Sequence, residues 1–265
     1  MMVHNFDPVL IDFGILQIRW YSLAYIFGIL AGWWYGKVII RKKILGTNQR
    51  NYLINFDDLI VYIIIGVVVG GRLGYVIFYD PIFYFKNILE IFKLWNGGMS
   101  FHGGFVGVII AVYIFSNLKN LNYKIYFDVV CCVAPIGIFL GRIANFINSE
   151  LYGLPTEKPW GIIFNKVDDV VRHPSQIYEA LLEGFALFVI LNFLVTKKNL
   201  GHGLISSLFL ILYGVFRIIS EQFREPDEHM GYIFGYLSMG SLLSIVMIIF
   251  GLLLFSKITF NEKNR

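Results

Sequence analysis

The sequence predicts an all-α membrane protein, a polytopic bundle of about seven transmembrane helices with a small extracytoplasmic head. Three observations carry that expectation. Of 265 residues, 57% are hydrophobic and only 15% charged, with a mean hydropathy of +0.67; a soluble domain of that composition would leave too much apolar surface in water. Several apolar stretches reach about 20 residues, enough for a helix to cross a hydrocarbon core of roughly 30 Å. The polar connections on one side are short and basic. The net charge of +4 is modest, and no basic patch with interleaved aromatics points to nucleic acid.

The chain reads as a single integral membrane domain over 1–265, with spans at about 20–40, 59–78, 99–115, 127–147, 176–195, 203–219 and 236–255. Ahead of the first span, His4, Asp7, Pro8 and Asp12 interrupt any short apolar core that a cleavable signal needs, so that span is expected to stay as an anchor. It opens on Arg19-Trp20-Tyr21, which suits an interfacial aromatic belt. The second ends in Gly66-x-x-x-Gly70-Gly71-Arg72. Glycines four apart let helices pack closely, and the arginine reads as one that snorkels to the rim. The third is short if it starts at Met99, unless it begins in the aromatic segment before it. The fourth holds the adjacent Cys131 and Cys132, which suit neither a bridge nor a metal and read as small core residues. It ends in Gly137-x-x-x-Gly141-Arg142, an echo of the second span too short to establish a repeat. The fifth follows His173-Pro174-Ser175-Gln176, a helix start with proline in the first turn and Ser175 or Gln176 reaching orphan backbone groups.

Eleven Lys and Arg fall in the odd-numbered connections and the tail, against seven on the other side. The positive-inside rule then puts the C-terminus in the cytoplasm and the N-terminus outside. The outer face would hold the segment 80–98, the 148–174 connection as the head, and the 221–235 connection. Short basic inner loops suit anionic lipid headgroups.

The costly polar groups gather toward that outer face. Gly141-Arg142-Ile143-Ala144-Asn145-Phe146-Ile147-Asn148-Ser149-Glu150-Leu151-Tyr152-Gly153 turns polar without a break, and on a helix Arg142, Asn145 and Ser149 would share one narrow face. A fixed cation near hydrocarbon costs up to roughly 2.5–3.5 kcal/mol, so it faces a cavity, a partner or an anionic ligand such as a lipid phosphate. Tyr213, Arg217, Glu221 and Arg224 fall within one helical stripe. That stripe is either an internal Arg–Glu pair holding helices in register or a phosphate-binding fork. Glu179 and Glu183, four apart in an apolar span, need partners, and those arginines suit them better than proton conduction does. His102 lies in Gly97-Gly98-Met99-Ser100-Phe101-His102-Gly103-Gly104. It is a structural histidine or a proton-transfer group beside glycines that let substrate approach.

Together these segments resemble the bacterial phosphatidylglycerol–prolipoprotein diacylglyceryl transferases. The stretch Gly141–Gly153 looks like that family's signature. Trp20-Tyr21, the His102 glycine segment, His173-Pro174-Ser175-Gln176 and Phe216-Arg217-Ile218-Ile219 match in the family's order, over most of the chain. The resemblance implies a multi-pass enzyme of the bacterial cell (inner) membrane. It would move the sn-1,2-diacylglyceryl group of phosphatidylglycerol onto the lipobox cysteine of a prolipoprotein signal peptide, forming a thioether and releasing glycerol 1-phosphate. By similarity the functional positions are Tyr21, His102, Arg142, Asn145, Glu150, Gly153, Arg217 and Glu221, with Arg142 the phospholipid-binding arginine. Arg142 and Arg217 would stabilise charge on the leaving phosphate, His102 would take the thiol proton, and Glu150 or Glu221 would orient an arginine or receive that proton. Asn145 and Tyr21 would hydrogen-bond the glycerol headgroup. No cofactor and no metal is expected. The runner-up is a secondary transporter of an anionic solute, which needs matching broken helices in two halves. A scaffold without catalysis would leave the His, Arg and Glu groups without a use.

Overall fold

The computed structural model describes residues 2–14, 17–44, 48–196, 201–226 and 237–263. Six helices among them are long and apolar enough to cross a bilayer, and a shorter apolar helix adds a seventh. In chain order these are α1 (Trp20–Lys43), α2 (Gln49–Phe78), the short α3 (Pro81–Lys86), α4 (Phe101–Leu118) and α5 (Tyr123–Asn148), then α6 (Ser175–Glu179) running through a π-helical turn (Ala180–Ala186) into α7 (Leu187–Val195), and finally α8 (Leu204–Glu221) and α9 (Met239–Lys263). Large apolar side chains such as Phe27, Trp34, Phe193, Phe250 and Leu253 lie exposed along them, as a lipid-facing surface requires.

The span boundaries shift where charge hides helix. α2 begins at Gln49 rather than residue 59, because its first turns carry Arg50, Asp57 and Asp58. α4 begins at Phe101, capped by Ser100, whose Oγ accepts from Gly103 N at 3.2 Å; the aromatic segment before it does not continue the helix. The expected start of the last span at Tyr236, most of the 221–235 connection, and Lys197, Lys198 and Arg265 lie outside the described residues.

The chain divides into two compact units, Lys37–Phe127 and the remainder, Met1–Gly36 with Asp128–Arg265. In the first, α2 and α4 cross on glycine. A side chain at Gly66 would put its Cβ 2.6 Å from Gly107 O, and one at Gly74 2.7 Å from Gly103 Cα. Nothing larger fits either position, as the glycine spacing of the second span predicts.

Arg72 corrects another expectation of that span. It is buried rather than snorkelling. Its Nε donates to Ile91 O at 2.8 Å, Nη2 to Glu90 O at 2.6 Å and Lys93 O at 3.3 Å, and Nη1 to Gly98 O at 3.1 Å and to Gly97 O. The guanidinium also lies 5.1 Å from the Tyr84 ring centroid. One side chain therefore folds the segment from α3 to Gly98, whose Phe85, Leu89, Phe92 and Trp95 face outward. Gly97 and Gly98 supply the positive φ values, 78° and 80°, that bend it toward Ser100.

In the second unit the N-terminal residues form structure the hydropathy pattern does not announce. β1 (Met2–His4) pairs in parallel with β4 (Ile162–Phe164), which pairs antiparallel with β5 (Val171–Arg172). β2 (Val9–Asp12) and β3 (Gln17–Arg19) form a hairpin leading directly into α1. The expected head is thus a small sheet completed by the chain's own start. Arg172 ties it together, with Nη1 on Gly153 O (3.1 Å) and Glu225 Oε2 (2.6 Å), Nη2 on Asp168 Oδ2 (2.6 Å), and its guanidinium 4.8 Å from the Tyr152 ring centroid.

Below the head, the helices lock by steric fit and one buried carboxylate. A Cβ at Gly28 of α1 would lie 3.2 Å from Gly137 Cα, and one at Gly184 of the π-helical turn 2.7 Å from Phe139 Cβ. Gly137 and Gly141 do not reproduce the α2 pattern, since a Cβ at either meets no atom within 4 Å among the described residues. Asp128 of α5 is fully buried and caps α8 from outside it. Its carboxylate accepts from Gly203 N at 2.8 Å, Ser206 N at 2.9 Å and Ser206 Oγ at 2.7 Å, satisfying orphan donors at that helix start.

Replacing Arg72 tests the carbonyl cage. Arg72→Met should open the 81–98 segment to limited proteolysis, because five carbonyls lose their donor together. Arg72→Lys should restore only part of the protection, since an ammonium has no planar fork. Unchanged protease resistance in Arg72→Met would show that the segment is held by other contacts.

Candidate active site

Two arginines and three glutamates from four helical segments meet in the second unit. Arg142, in the last two turns of α5, reaches Glu179 Oε2 with Nε at 2.7 Å and Glu183 Oε2 with Nη2 at 3.3 Å. Arg217 of α8 reaches the same two carboxylates with Nη1, at 2.9 and 3.4 Å, and Glu221 Oε2 with Nη2 at 2.7 Å. Ser220 Oγ donates to Glu183 Oε1 at 2.9 Å. Glu179 and Glu183 are completely buried, while the Arg142 side chain keeps 15% of its surface exposed. The arginines therefore share their anions, as the apolar setting of the carboxylates requires.

Local geometry explains why these groups can meet. The π-helical turn begins at Ala180, immediately after Glu179, and holds Glu183. It widens the helix locally, and both carboxylates point to one pair of guanidiniums. Gly240 of α9 makes room for Glu221: a Cβ there would sit 2.9 Å from the carboxylate carbon and from both its oxygens. Tyr213, one turn before Arg217, is buried and stacks on Phe209 with ring centroids 5.7 Å apart.

Asn145 and Glu150 form a second polar pair on the signature stretch. Asn145 Nδ2 donates to Glu150 Oε2 at 3.1 Å, and Asn148 Nδ2 to Glu150 Oε1 at 3.2 Å. Ser149 leaves the helical face expected of it. α5 ends at Asn148, and Ser149 takes φ +59°. Ser149 N donates to Phe146 O at 3.0 Å and Glu150 N to Asn145 O at 2.9 Å, the double closure of a Schellman turn with serine where glycine is usual. Leu151 also has positive φ, at 55°. Holding two such residues costs on the order of 1–3 kcal/mol each, so the loop needs outside support. Gln176 Nε2 donates to Glu150 O at 2.7 Å and Ser175 Oγ to Leu151 O at 2.9 Å. Ser175 and Gln176 thus pin the signature loop rather than cap their own helix.

The remaining site candidates separate. Glu221 holds an arginine, whereas Glu150 holds two asparagines. Gly153 is enclosed by backbone: its N donates to His173 O at 3.0 Å, and a Cβ would lie 2.6 Å from Phe223 O. That is reason enough for glycine on packing grounds. Arg224 leaves the expected stripe, since α8 ends at Glu221 and Arg224 forms a short bridge with Gly153. Tyr21, in the first turn of α1, packs on Tyr25 with ring centroids 5.2 Å apart. His102 belongs to the other unit, exposed in the first turn of α4, just past the glycine bend that Arg72 holds.

A family model described as prolipoprotein diacylglyceryl transferase matches residues 8–257. The chain belongs to that family. Proteins named phosphatidylglycerol–prolipoprotein diacylglyceryl transferase are similar to it over nearly their whole length. One from Rickettsia bellii (strain OSU 85-389) is 48% identical over 97% of each chain. One from Methylocella silvestris is 50% identical over 94% of this chain and 92% of its own, and one from Wolbachia pipientis is 46% identical over 95% and 94%. Family membership makes the chain a multi-pass membrane transferase of lipoprotein biosynthesis and sets aside the transporter and scaffold readings.

The sequence expectation of arginine partners for Glu179 and Glu183 is met, and Arg142, Arg217 and Glu221 share that ion cluster. The sequence does not announce the buried ring of His4, which touches the signature loop through Ser149; a lone histidine among polar residues carries no signal of that contact.

Two measurements check this geometry. Glu179→Ala leaves two buried guanidiniums short of an anion, so it should destabilise the folded protein by about 3–5 kcal/mol, read as a fall in Tm in detergent; an unchanged Tm would show that the cluster carries no net stability. In the head, hydrogen bonds from Arg172 hold the Asp168 carboxyl below its ordinary range. A depressed folded value means the stabilisation is complete above the unfolded pKa, about 3.9, and is lost as pH falls through the lower folded value. Asp168→Asn should therefore flatten the Tm–pH curve below about pH 4 and leave its shape near neutrality unchanged.

Proposed function

We propose that this chain transfers the sn-1,2-diacylglyceryl group of phosphatidylglycerol to the lipobox cysteine thiol of prolipoproteins. The activity follows from membership of the transferase family over nearly the whole chain. The observation that best supports a site for it is the convergence of Arg142 and Arg217 on shared carboxylates. The thiolate sulfur attacks the glyceryl carbon bonded to the phosphate oxygen. The S–C bond forms, the C–O bond breaks with its electrons on oxygen, and glycerol 1-phosphate departs.

Negative charge grows on that phosphate, and guanidiniums held in a water-poor site stabilise it strongly. Arg142 meets its carboxylates through Nε and Nη2, and the N–H bonds of Nη1, with no acceptor among the described residues, are the ones offered to a phosphate oxygen. The ion pairs join two guanidiniums to three carboxylates, and Arg224 adds a third positive charge acting on Glu179. A lipid phosphate competes with those carboxylates for the guanidinium donors. Arg217 with Glu221 gives the cluster a second anchor when Arg142 turns toward lipid. The thiol, with an ordinary pKa near 8.5, needs a proton acceptor, and His102 fills that role at neutral pH. Asn145, oriented by Glu150, and Tyr21 bind the glycerol headgroup. The basic connections face the cytoplasm and the head faces outward, where lipobox peptides arrive.

Purified protein, phosphatidylglycerol micelles and a lipobox peptide test the reading by mass spectrometry. The peptide should gain one diacylglyceryl unit. Arg142→Ala should cut that gain by at least about 100-fold, the size expected for removing one charge-stabilising donor, and full activity in that variant would remove the phosphate role. His102→Gln should abolish the ionisation seen near neutrality in the rate–pH profile; an unchanged profile would eliminate His102 as the acceptor.

A further inference from the structure

The turn that ends α5 places a serine where glycine is favoured. What Ser149 brings in exchange is a hydroxyl, and that hydroxyl lies 3.1 Å from His4 Nδ1. His4 is 145 residues away in sequence and fully buried. Strand pairing sets its position, with His4 opposite Phe164 in the β1–β4 register. Its ring sits among Phe6, Phe146 and Phe164, with centroids at 4.9, 4.8 and 5.2 Å. Burial pushes the imidazole pKa down, and Lys166, whose Nζ donates to Phe6 O at 2.8 Å, adds to that. The ring is therefore neutral at neutral pH and able to hydrogen-bond a hydroxyl through one nitrogen. Nε2 is buried with no hydrogen-bond partner among the described residues, so the polar contacts of this ring, with Ser149 Oγ and with the backbone of His4 and Phe146, lie on the Nδ1 side.

Beyond that contact lies the pair the reaction uses. Glu150 follows Ser149 directly, its N–H closes the turn onto Asn145 O, and its carboxylate holds the Asn145 side chain. Gln176 and Ser175 support the loop at Glu150 and Leu151, while the Ser149 side chain is held by His4.

We infer that His4 is a positioning residue: by holding the Ser149 hydroxyl it keeps the left-handed turn at the end of α5, and with it the Asn145–Glu150 pair, in the geometry of the transfer reaction. This rests on the reading of Asn145 and Glu150 as site residues given above.

The test measures transfer to a lipobox peptide, and amide hydrogen exchange at residues 149–151, in the full-length protein. His4→Phe keeps an aromatic ring in the cage and deletes the nitrogen. His4→Asn puts an amide group where Nδ1 was. Ser149→Gly supplies a residue that adopts positive φ unaided, so it should cancel the dependence on His4. Turnover should fall about tenfold in His4→Phe, stay within about threefold of the parent in His4→Asn, and return to within about threefold in His4→Phe with Ser149→Gly, the scale of one hydrogen bond. Exchange at 149–151 should rise and recover in the same order. A packing role reverses that order, tolerating Phe and rejecting Asn. That reversal, full turnover in His4→Phe, or failure of Ser149→Gly to restore it overturns the inference. Asn145→Ala run in parallel separates the two claims: loss of activity there leaves the His4 series to be decided on turnover, whereas full activity removes Asn145 from the site and leaves exchange at 149–151 to decide on His4.

Discussion

Two carboxylates with no exposed surface, Glu179 and Glu183, each meet the same two guanidiniums. Among helices whose outer faces are apolar, neither sign of charge is tolerable alone: an uncompensated buried ion costs several kcal/mol even after the structure relaxes. Arg142 and Arg217 stand on different helices, and Glu179 and Glu183 on a third span, so the ion pairs dictate how α5, α8 and the fifth span approach one another. The close fits at Gly184 and Gly214 serve that approach. Gly184 lets the π-helical turn lie against Phe139 of α5, and Gly214 lets α8 lie against Ser244 and Ile248 of α9.

A binding site made only of arginines would repel itself before a ligand arrived. On the proposed reading, sharing carboxylates solves that problem and creates another, since a phosphate would meet anions as well as cations. The exposure is uneven in a way that suits exchange. The carboxylates are sealed, while Arg142 keeps part of its surface accessible. Arg217 is also held by Glu221, seated where Gly240 makes room for it. Arg217 is thus fastened by three carboxylates and Arg142 by two, so Arg142 is held the less firmly.

The sequence reveals what depends on local pattern and hides what depends on distant pairing. Seven spans, close packing at the glycines of α2, and arginine partners for Glu179 and Glu183 follow from hydropathy, from spacing four apart and from the cost of charge in hydrocarbon; that α4 is the partner does not. The start of α2 does not, because Arg50, Asp57 and Asp58 lie inside a helix that continues beyond its apolar window. Arg72 looks like an interfacial arginine in one dimension. Its cage consists of carbonyls from 90 to 98, and backbone acceptors leave no mark on residue identity. Ser149 follows the helical periodicity of Arg142 and Asn145 until a left-handed turn removes it. Serine gives no warning of such a turn, as glycine would have. The π-helical turn after Glu179 is equally silent, for apart from Gly184 its residues are ordinary in a helix.

The last turns of α5 are where membrane and head constraints meet. Arg142 is fixed by carboxylates within the spans. A turn later Asn145 is fixed by Glu150, and Glu150 belongs to a loop held by Gln176, Ser175 and the strand-borne His4. Neither set of contacts suffices alone. The ion cluster sets the depth and rotation of the helix but says nothing about a loop beyond its end. The head sheet orders that loop but could not hold a cation among apolar helices. On the proposed reading, a lipid headgroup with a phosphate and hydroxyls engages both: one helix end carries the cation for the phosphate and, a turn later, the amide for the hydroxyls.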